Sequence, residues 1–290
     1  VRIAVVGAGG QLGAAVVHEC GARHEAIAFT RRDLDARDSG AVRAAMDRVR
    51  PDVIVNGAAF TDVDAAEERP EEALDVNAFA VRALAHAAER HAATLVHYST
   101  DFVFDGRAAE PYTEEQPTNP RSVYAASKLL GEWFALDVNG RGRGFAYVLR
   151  VESLFGRAPD GPAAKGSIAG IVNTLTAGGS PRVFQDRTIS PTYVIDAARA
   201  TRQLVELEVR ARPPGIYHCV NSGSCTWLEF AQELARQLGI KPRLTPVRMA
   251  DVPLRAERPQ YCALSNAKLR SVGISMPRWQ DALAHYLERP

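Results

Sequence analysis

Short β-rich runs alternate with helix-period segments across the first 100 residues, and this alternation restricts the chain to few folds. The runs are Val1–Val6, Ala26–Phe29, Pro51–Asn56 and Thr94–Tyr98. Between them the pattern predicts helices over Gln11–Gly21, over Ser39–Arg50 and, rich in alanine, from Ala66 to Arg90. In the second of these, Val42, Ala45, Met46 and Val49 share one face. Asp64, with Glu67 three residues later, is read as the cap of the long helix. The runs are apolar throughout rather than alternating, so each strand is buried on both faces. That implies an α/β chain with a doubly wound parallel sheet, helices covering both sides.

The second half is less regular. A helix is expected from Tyr124 to Leu136, a strand over Phe145–Arg150, a loop over Gly156–Gly166, a helix over Ser167–Ala177 and a strand over Arg182–Phe184. Thr226 and Glu229 form a capping-box pattern, and a last amphipathic helix starts at Trp279. With no linker or repeat, the chain reads as a sheet domain over residues 1–155 and a smaller C-terminal lobe over 156–290, with segments returning to the sheet. Lysine plus arginine total 35 against 34 acidic residues, so there is no general field for a nucleic acid or an anionic membrane. The four cysteines form no C-x-x-C pair, no metal-ribbon spacing and no disulfide framework. No apolar run approaches the ~18 residues of a membrane helix, and no basic region precedes a cleavage site. A cytoplasmic protein with reduced thiols is expected.

Gly7, Gly10 and Gly13 directly follow the first strand and open the first helix, in the spacing G-x-x-G-x-x-G, with Gly9 as an extra. Leu12 stands where the G-x-G-x-x-G spacing would need glycine. Such a loop lets a pyrophosphate approach the backbone and meet the unpaired N–H groups of a helix N-terminus. Alone, such a loop is equally compatible with a plain strand–helix turn; its placement at residue 7 of a strand–turn–helix favours the nucleotide reading. After the second strand comes Thr30-Arg31-Arg32-Asp33. A 2′-phosphate wants arginine and free ribose hydroxyls want an acid, so Arg31 and Arg32 favour NADP, while Asp33 leaves NAD open. Asp35 would face the adenine edge or cap the next helix.

Tyr124 and Lys128 form Y-x-x-x-K, and on a helix positions i and i+4 lie on one face. An ammonium beside a phenol lowers the phenol's pKa from ~10, making it an acid or base near neutrality. Ser99-Thr100-Asp101 ends the fourth strand, where open parallel sheets bind ligands. A hydroxyl there can hydrogen-bond a carbonyl under reduction.

Together these motifs resemble the extended short-chain dehydrogenases/reductases and, within them, the dTDP-4-dehydrorhamnose reductase family. The resemblance covers nearly the whole chain. Residues 7–13 are similar to the family's G-x-x-G-Q-L-G loop, 52–59 to its D-V-I-V-N-A-A-A strand end, and 61–64 to its T-x-V-D. Residues 99–106 are similar to S-T-D-Y-V-F-x-G, 190–192 to S-P-T, and Arg258–Pro259 to an arginine–proline pair. The resemblance implies a Rossmann-type fold and NADPH-dependent reduction of the 4-keto group of a nucleotide-linked 6-deoxysugar. It implies catalytic roles for Thr100, Tyr124 and Lys128. Cofactor contacts would come from Gly7, Gly10, Gln11, Leu12, Gly13, Arg31, Arg32, Asp35, Ala58 and Ala59, with Lys128 holding the ribose beside Tyr124. Substrate contacts would come from Val63, Asp101, Ser153 and Arg258, the last forking onto the pyrophosphate. A homodimer is compatible with it.

The departures lie on the substrate side. The family's R-T-S-W-x-F is here Arg150-Val151-Glu152-Ser153-Leu154-Phe155, so Ser153 replaces a tryptophan. Its D-Q-x-G-S-P-T is here Asp186-Arg187-Thr188-Ile189-Ser190-Pro191-Thr192, and residues 157–166 look like added length. Some members use magnesium at a dimer contact; only Glu288 suggests a counterpart, and no metal ligand set is assigned. Two other readings stand beside the reductase: a nucleotide-sugar epimerase on the same scaffold, and a non-catalytic nucleotide-binding regulatory subunit. Phe102 after Thr100–Asp101 argues against a dehydratase, whose T-D-E supplies a base.

Other signals have plainer readings. His97 and His218 read as satisfied strand positions, and Trp227 and Trp279 as packing anchors. The acidic run from Glu67 to Glu72 reads as a solvated helix start. Nothing around Cys262 suggests an activated thiolate, and nothing resembles a nucleic-acid-reading module.

Overall fold

A computed structural model describes residues 1–140, 144–207 and 213–288. The first half runs β1 (Arg2–Val6), α1 (Gln11–Gly21), β2 (Glu25–Phe29), α2 (Ser39–Val49), β3 (Val53–Asn56), α3 (Val63–Glu68), α4 (Pro70–Leu74), a π-helical turn (Asp75–Phe79), α5 (Ala80–His91) and β4 (Thr94–Thr100). It continues with α6 (Val123–Leu136), β5 (Phe145–Val151), β6 (Leu154–Phe155), α7 (Ser167–Thr176), β7 (Arg182–Phe184), β8 (Thr188–Ile189), β9 (Thr192–Tyr193) and α8 (Val194–Glu206). The remaining elements are β10 (Gly215–His218), β11 (Cys225–Thr226), α9 (Trp227–Gln237), β12 (Thr245–Val247), α10 (Ala267–Ser271) and α11 (Trp279–Glu288).

Six parallel strands form the central sheet in the order β10-β5-β4-β3-β1-β2. The apolar runs are continuous because each strand feeds two cores. Ile3 and Val5 of β1 pack with α1 and α8 on one side, and Ala4 and Val6 with α2 and α5 on the other. Full burial of such aliphatic side chains contributes about 1.5–3 kcal/mol each. The chain turns from β1 to β2 in one direction and to β3 in the other. This reversal opens a crevice at the carboxyl ends of β1 and β3, where open α/β sheets take ligands. From the second half, β10 joins the sheet beside β5 and α8 packs on α1.

The helix expected from Ala66 to Arg90 is instead broken into α3, α4, the π turn and α5. Pro70 lacks the N–H that would continue α3 and takes the first position of α4. The cap of α3 is Asp62, which accepts from the Ala65 N–H at 3.0 Å, not Asp64. The Thr226–Glu229 capping box forms, and Trp227 and Trp279 are buried. His97 and His218 are fully buried, but each is only half satisfied: His97 Nδ1 meets Asn56 Nδ2 at 3.1 Å and His218 Nε2 meets Arg150 Nη1 at 3.5 Å, while His97 Nε2 and His218 Nδ1 have no partner among the described residues.

Candidate functional site

At the switch between β1 and β3 lies a cavity of about 550 Å³. Gly7, Gly10, Arg31, Arg32, Ala58 and Ala59 line it, with Asp35 and Arg37 at one end. Gly7 has φ +81°, and a Cβ there would overlap the Ala58 backbone; a Cβ on Gly13 would overlap the Gly7 carbonyl. These glycines therefore let loop, helix and the β3 end close on one another. α1 starts at Gly10 with no side-chain cap, so its first N–H groups face the cleft mouth free of a competing side chain. Two of the expected contacts are not side-chain contacts. Gln11 turns away and donates to the Gly156 carbonyl at 2.5 Å, and Leu12 is buried in the core.

Asp33 does not face the cleft as an acid would for ribose. Its Oδ2 accepts from Thr30 N at 2.9 Å and Thr30 Oγ1 at 2.7 Å, closing the turn. Asp35 does not cap α2; Asp38 does, accepting from the Ala41 N–H. Instead Arg37 grips Asp35 through contacts of 2.6–3.1 Å and holds its carboxyl down at about 2. The end of β2 therefore presents Arg31 and Arg32, both exposed, with its acids already engaged.

Ser122 caps α6 by accepting from Ala125 N, and Glu67 accepts from the Val123 N–H at 2.8 Å. Glu67 is thus not part of a merely solvated face; it anchors the helix that carries Tyr124. Burial pushes the Tyr124 phenol up to about 12, offset in part by the Thr100 hydroxyl. This corrects the expectation of a phenol lowered by Lys128. Lys128 is buried and donates to the Tyr98 carbonyl at 2.6 Å, and burial brings its ammonium down to about 8, with Glu132 opposing. Phe102 meets the Tyr124 ring edge-on at 5.6 Å.

Beneath Thr100 lies a buried polar cluster. Thr100 Oγ1 and Asp101 Oδ1 are 2.9 Å apart. One ligating atom each from Asp101, Glu152 and Cys262 lies within 4.8 Å of the others, all buried. Glu152 accepts from the Ser190 N–H at 2.6 Å, and Arg187 approaches Cys262 at 3.6 Å while stacking over Phe102 at 5.4 Å. Asp101 is therefore in the protein interior below the threonine. Cys262, read as inert, belongs to this cluster, and burial pushes its thiol well up. Ser153 follows β5 with φ +42° and is half-buried.

Arg258 is committed elsewhere. Its Nη1 and Nη2 meet the two Asp64 oxygens at 2.9 and 2.7 Å, and this fork holds Asp64 down at about 2. The expected fork onto a pyrophosphate is thus closed onto the start of α3, beside Val63. Glu288 lines a second cavity, of about 490 Å³, with Glu19 and Asp196. Arg199 bonds Asp196 there and lies 3.8 Å from Glu19. Two of the three acids, Glu19 and Asp196, already face an arginine, so their fit to a metal is poor.

Sequence reasoning missed Asn77. From the π turn its side chain clamps Phe60, accepting from N at 2.8 Å and donating to O at 3.1 Å, and it also donates to Ser127 Oγ at 3.0 Å. It ties the loop after β3 to α6. No local pattern announces a π turn.

A family model described as RmlD substrate binding domain matches residues 1–290. The chain is 32% identical over 288 residues to the spore coat polysaccharide biosynthesis protein SpsK of Bacillus subtilis, covering 99% of this chain and 97% of that one. It is 35% identical to a dTDP-4-dehydrorhamnose reductase of Streptomyces griseus, covering 97% and 91%. Among solved structures, the dTDP-4-dehydrorhamnose reductase of Bacillus anthracis in complex with NADP superposes with a TM-score of 0.90 at 30% identity, covering 100% and 99%.

Proposed function

From the chain's membership of the RmlD substrate binding domain family, we propose that it is an oxidoreductase that reduces the 4-keto group of a nucleotide-linked 6-deoxysugar with NADPH. The observation that carries the reading is that β4 ends at Thr100 against α6, the helix that carries Tyr124 and Lys128, in the same parallel sheet whose β1 and β3 open the glycine-lined crevice. The names of the relatives support the substrate class, and the NADP complex of the Bacillus anthracis protein supports the cofactor.

The crevice fits a dinucleotide. The uncapped start of α1 would hold the pyrophosphate, Ala58 and Ala59 would lie along the cofactor, and Arg31 and Arg32 would take the 2′-phosphate. When bound, NADPH supplies the hydride that reduces the carbonyl carbon. The rest falls to this chain. Tyr124 is protonated at neutral pH, so it enters as the acid and gives its proton to the carbonyl oxygen. Thr100 hydrogen-bonds the same oxygen and holds the carbonyl in line. Lys128 places a positive charge one helical turn from Tyr124 and steadies the tyrosinate left behind. The cavity of about 300 Å³ between α7 and β7, lined by Ser167, Thr174, Arg182 and Arg187, would receive the sugar nucleotide, with residues 156–290 supplying most of that lobe.

The test is loss of NADPH absorbance with a set of dTDP-4-keto-6-deoxy sugars. Turnover is expected in the wild type, and Tyr124→Phe should lower kcat by about 10²–10⁴-fold, the usual contribution of a general acid, with NADPH binding retained. A Tyr124→Phe protein with wild-type turnover would exclude the assignment. Cofactor binding without oxidation of NADPH on any sugar would favour the regulatory reading.

A further inference from the structure

Resting on the reductase reading above, we propose that residues 252–258 form an ionic clasp. They reach from the C-terminal lobe to the sheet domain beside the head of α6, and they open to let the sugar nucleotide in and out.

The segment is fixed at both ends. At its start a short helical turn (Met249–Asp251) is tied to the lobe, with the Met249 N–H donating to Asp186 Oδ1 at 3.0 Å. At its end Pro259 packs so closely on Gly106 that a Cβ there would overlap it, and the Tyr261 N–H donates to the Gly106 carbonyl at 3.0 Å. Between these anchors only Ala256 is buried. Little apolar burial holds the segment down, which is the mark of a part that opens without the rest unfolding.

Charge holds it instead. Arg258 forks onto Asp64, and the Ala256 N–H donates to Asp64 Oδ1 at 2.9 Å. Arg255 pairs with Glu68. Asp64 and Glu68 stand four residues apart on α3, so one face of that helix offers both acids to the two arginines. Glu257 pairs in the opposite sense with Arg121, at 3.2 Å.

These pairs land on the elements that flank the reaction centre. The loop containing Ala58, Ala59 and Phe60 lines the crevice and leads into α3. On α3, Glu67 accepts from the Val123 N–H at the head of α6, one residue before Tyr124. Arg121 lies two residues before that head. Shut, the clasp therefore bridges the lobe to both walls of the site. The side chains of Arg255, Glu68 and Glu257 are each more than half exposed, so water competes for these pairs and salt screens them. Such a bridge opens and recloses on the timescale of other active-site lids.

Hydrogen exchange of the whole protein reads the opening with no ligand present. The reporter is the Ala256 N–H, buried and bonded to Asp64. Raising NaCl to about 0.5 M should speed its exchange by about 10-fold, and Asp64→Asn with Glu68→Gln should exchange fast at both salt levels. Arg255→Glu should also speed it, and adding Glu68→Arg to that variant should slow it again. Exchange indifferent to salt and to these variants overturns the proposal. The second readout is stopped-flow fluorescence with dTDP. Opening precedes both entry and exit, so the Asp64→Asn, Glu68→Gln variant should bind and release dTDP faster by about the same factor, roughly 3–10-fold, with Kd within about twofold of wild type. Unchanged rates, or a change in release alone, which would mean a lost ligand contact, overturn the gating role. If dTDP does not bind the wild type, the sugar-nucleotide reading fails and exchange at Ala256 alone judges the clasp.

Discussion

The buried ion pair that joins α6 to β5 sets a measurable stake. Glu132 on α6 and Arg150 on β5 are joined by two bonds of 2.9 and 2.8 Å, with side chains 1% and 2% exposed. The guanidinium also lies 5.0 Å from the centre of the Phe104 ring. In Glu132→Ala the arginine stays buried without its counter-ion, and breaking such a pair costs about 3–5 kcal/mol. In a chain of this size each kcal/mol lowers Tm by about 2 °C, so the drop should be about 6–10 °C. Calorimetry or circular dichroism at neutral pH reads it directly. The double change Glu132→Leu with Arg150→Met should recover most of the loss, since it removes both charges and refills the space. A drop of under about 2 °C, or a double variant no better than the single one, would refute the reasoning. The same variant carries a second consequence. Glu132 opposes the burial that brings Lys128 to about 8, so its loss should leave more of the amine uncharged at neutral pH.

Other predictions are narrower. Arg31→Ala with Arg32→Ala should weaken NADPH binding by about 10–100-fold, or 1.4–2.8 kcal/mol, and leave NADH nearly unaffected, with the difference shrinking at high salt. Fluorescence titration of both nucleotides checks this, and equal losses for the two would show that the arginines do not read the 2′-phosphate. Asp64 is held below its ordinary value, to about 2, by Arg258. Its contribution to stability is therefore full above the ordinary carboxylate pKa and lost as pH falls through the lowered one. The Tm gap between wild type and Asp64→Asn should be present at pH 6 and close between about pH 4 and pH 2; a gap constant with pH would remove Asp64 from that role.

Much of this was legible because it is local. The glycine loop, the T-W-L-E capping box, the Y-x-x-x-K pair and the strand ends each lie within a few residues of chain, and the helices and strands they imply form within one or two residues of the expected bounds. What stayed hidden depends on partners far along the chain. Asp64 looks like a cap until Arg258 arrives, 194 positions later, to take its carboxylate. Asp101, Glu152, Arg187 and Cys262 come from four separate segments, and only folding sets them side by side. Tyr124 was expected to be tuned by the lysine one turn on, but i,i+4 spacing fixes a shared face, not a contact. The Lys128 side chain found a carbonyl on β4 instead. The alanine-rich stretch after Asp62 was continuous in pattern, and the break at Arg69–Pro70 and the widened turn around Asn77 answer to packing against α6.

The position of β10 bears on how the chain is made. The first five strands of the sheet are complete when residue 151 leaves the ribosome, but the sixth lies at 215–218 and the helix that covers α1 at 194–206. A nascent chain thus waits through more than sixty residues of synthesis with the bare hydrogen-bonding edge of β5 and an apolar helix face on show. That interval, more than any weakness of the finished molecule, is where it is open to mispairing and where a chaperone would find something to hold.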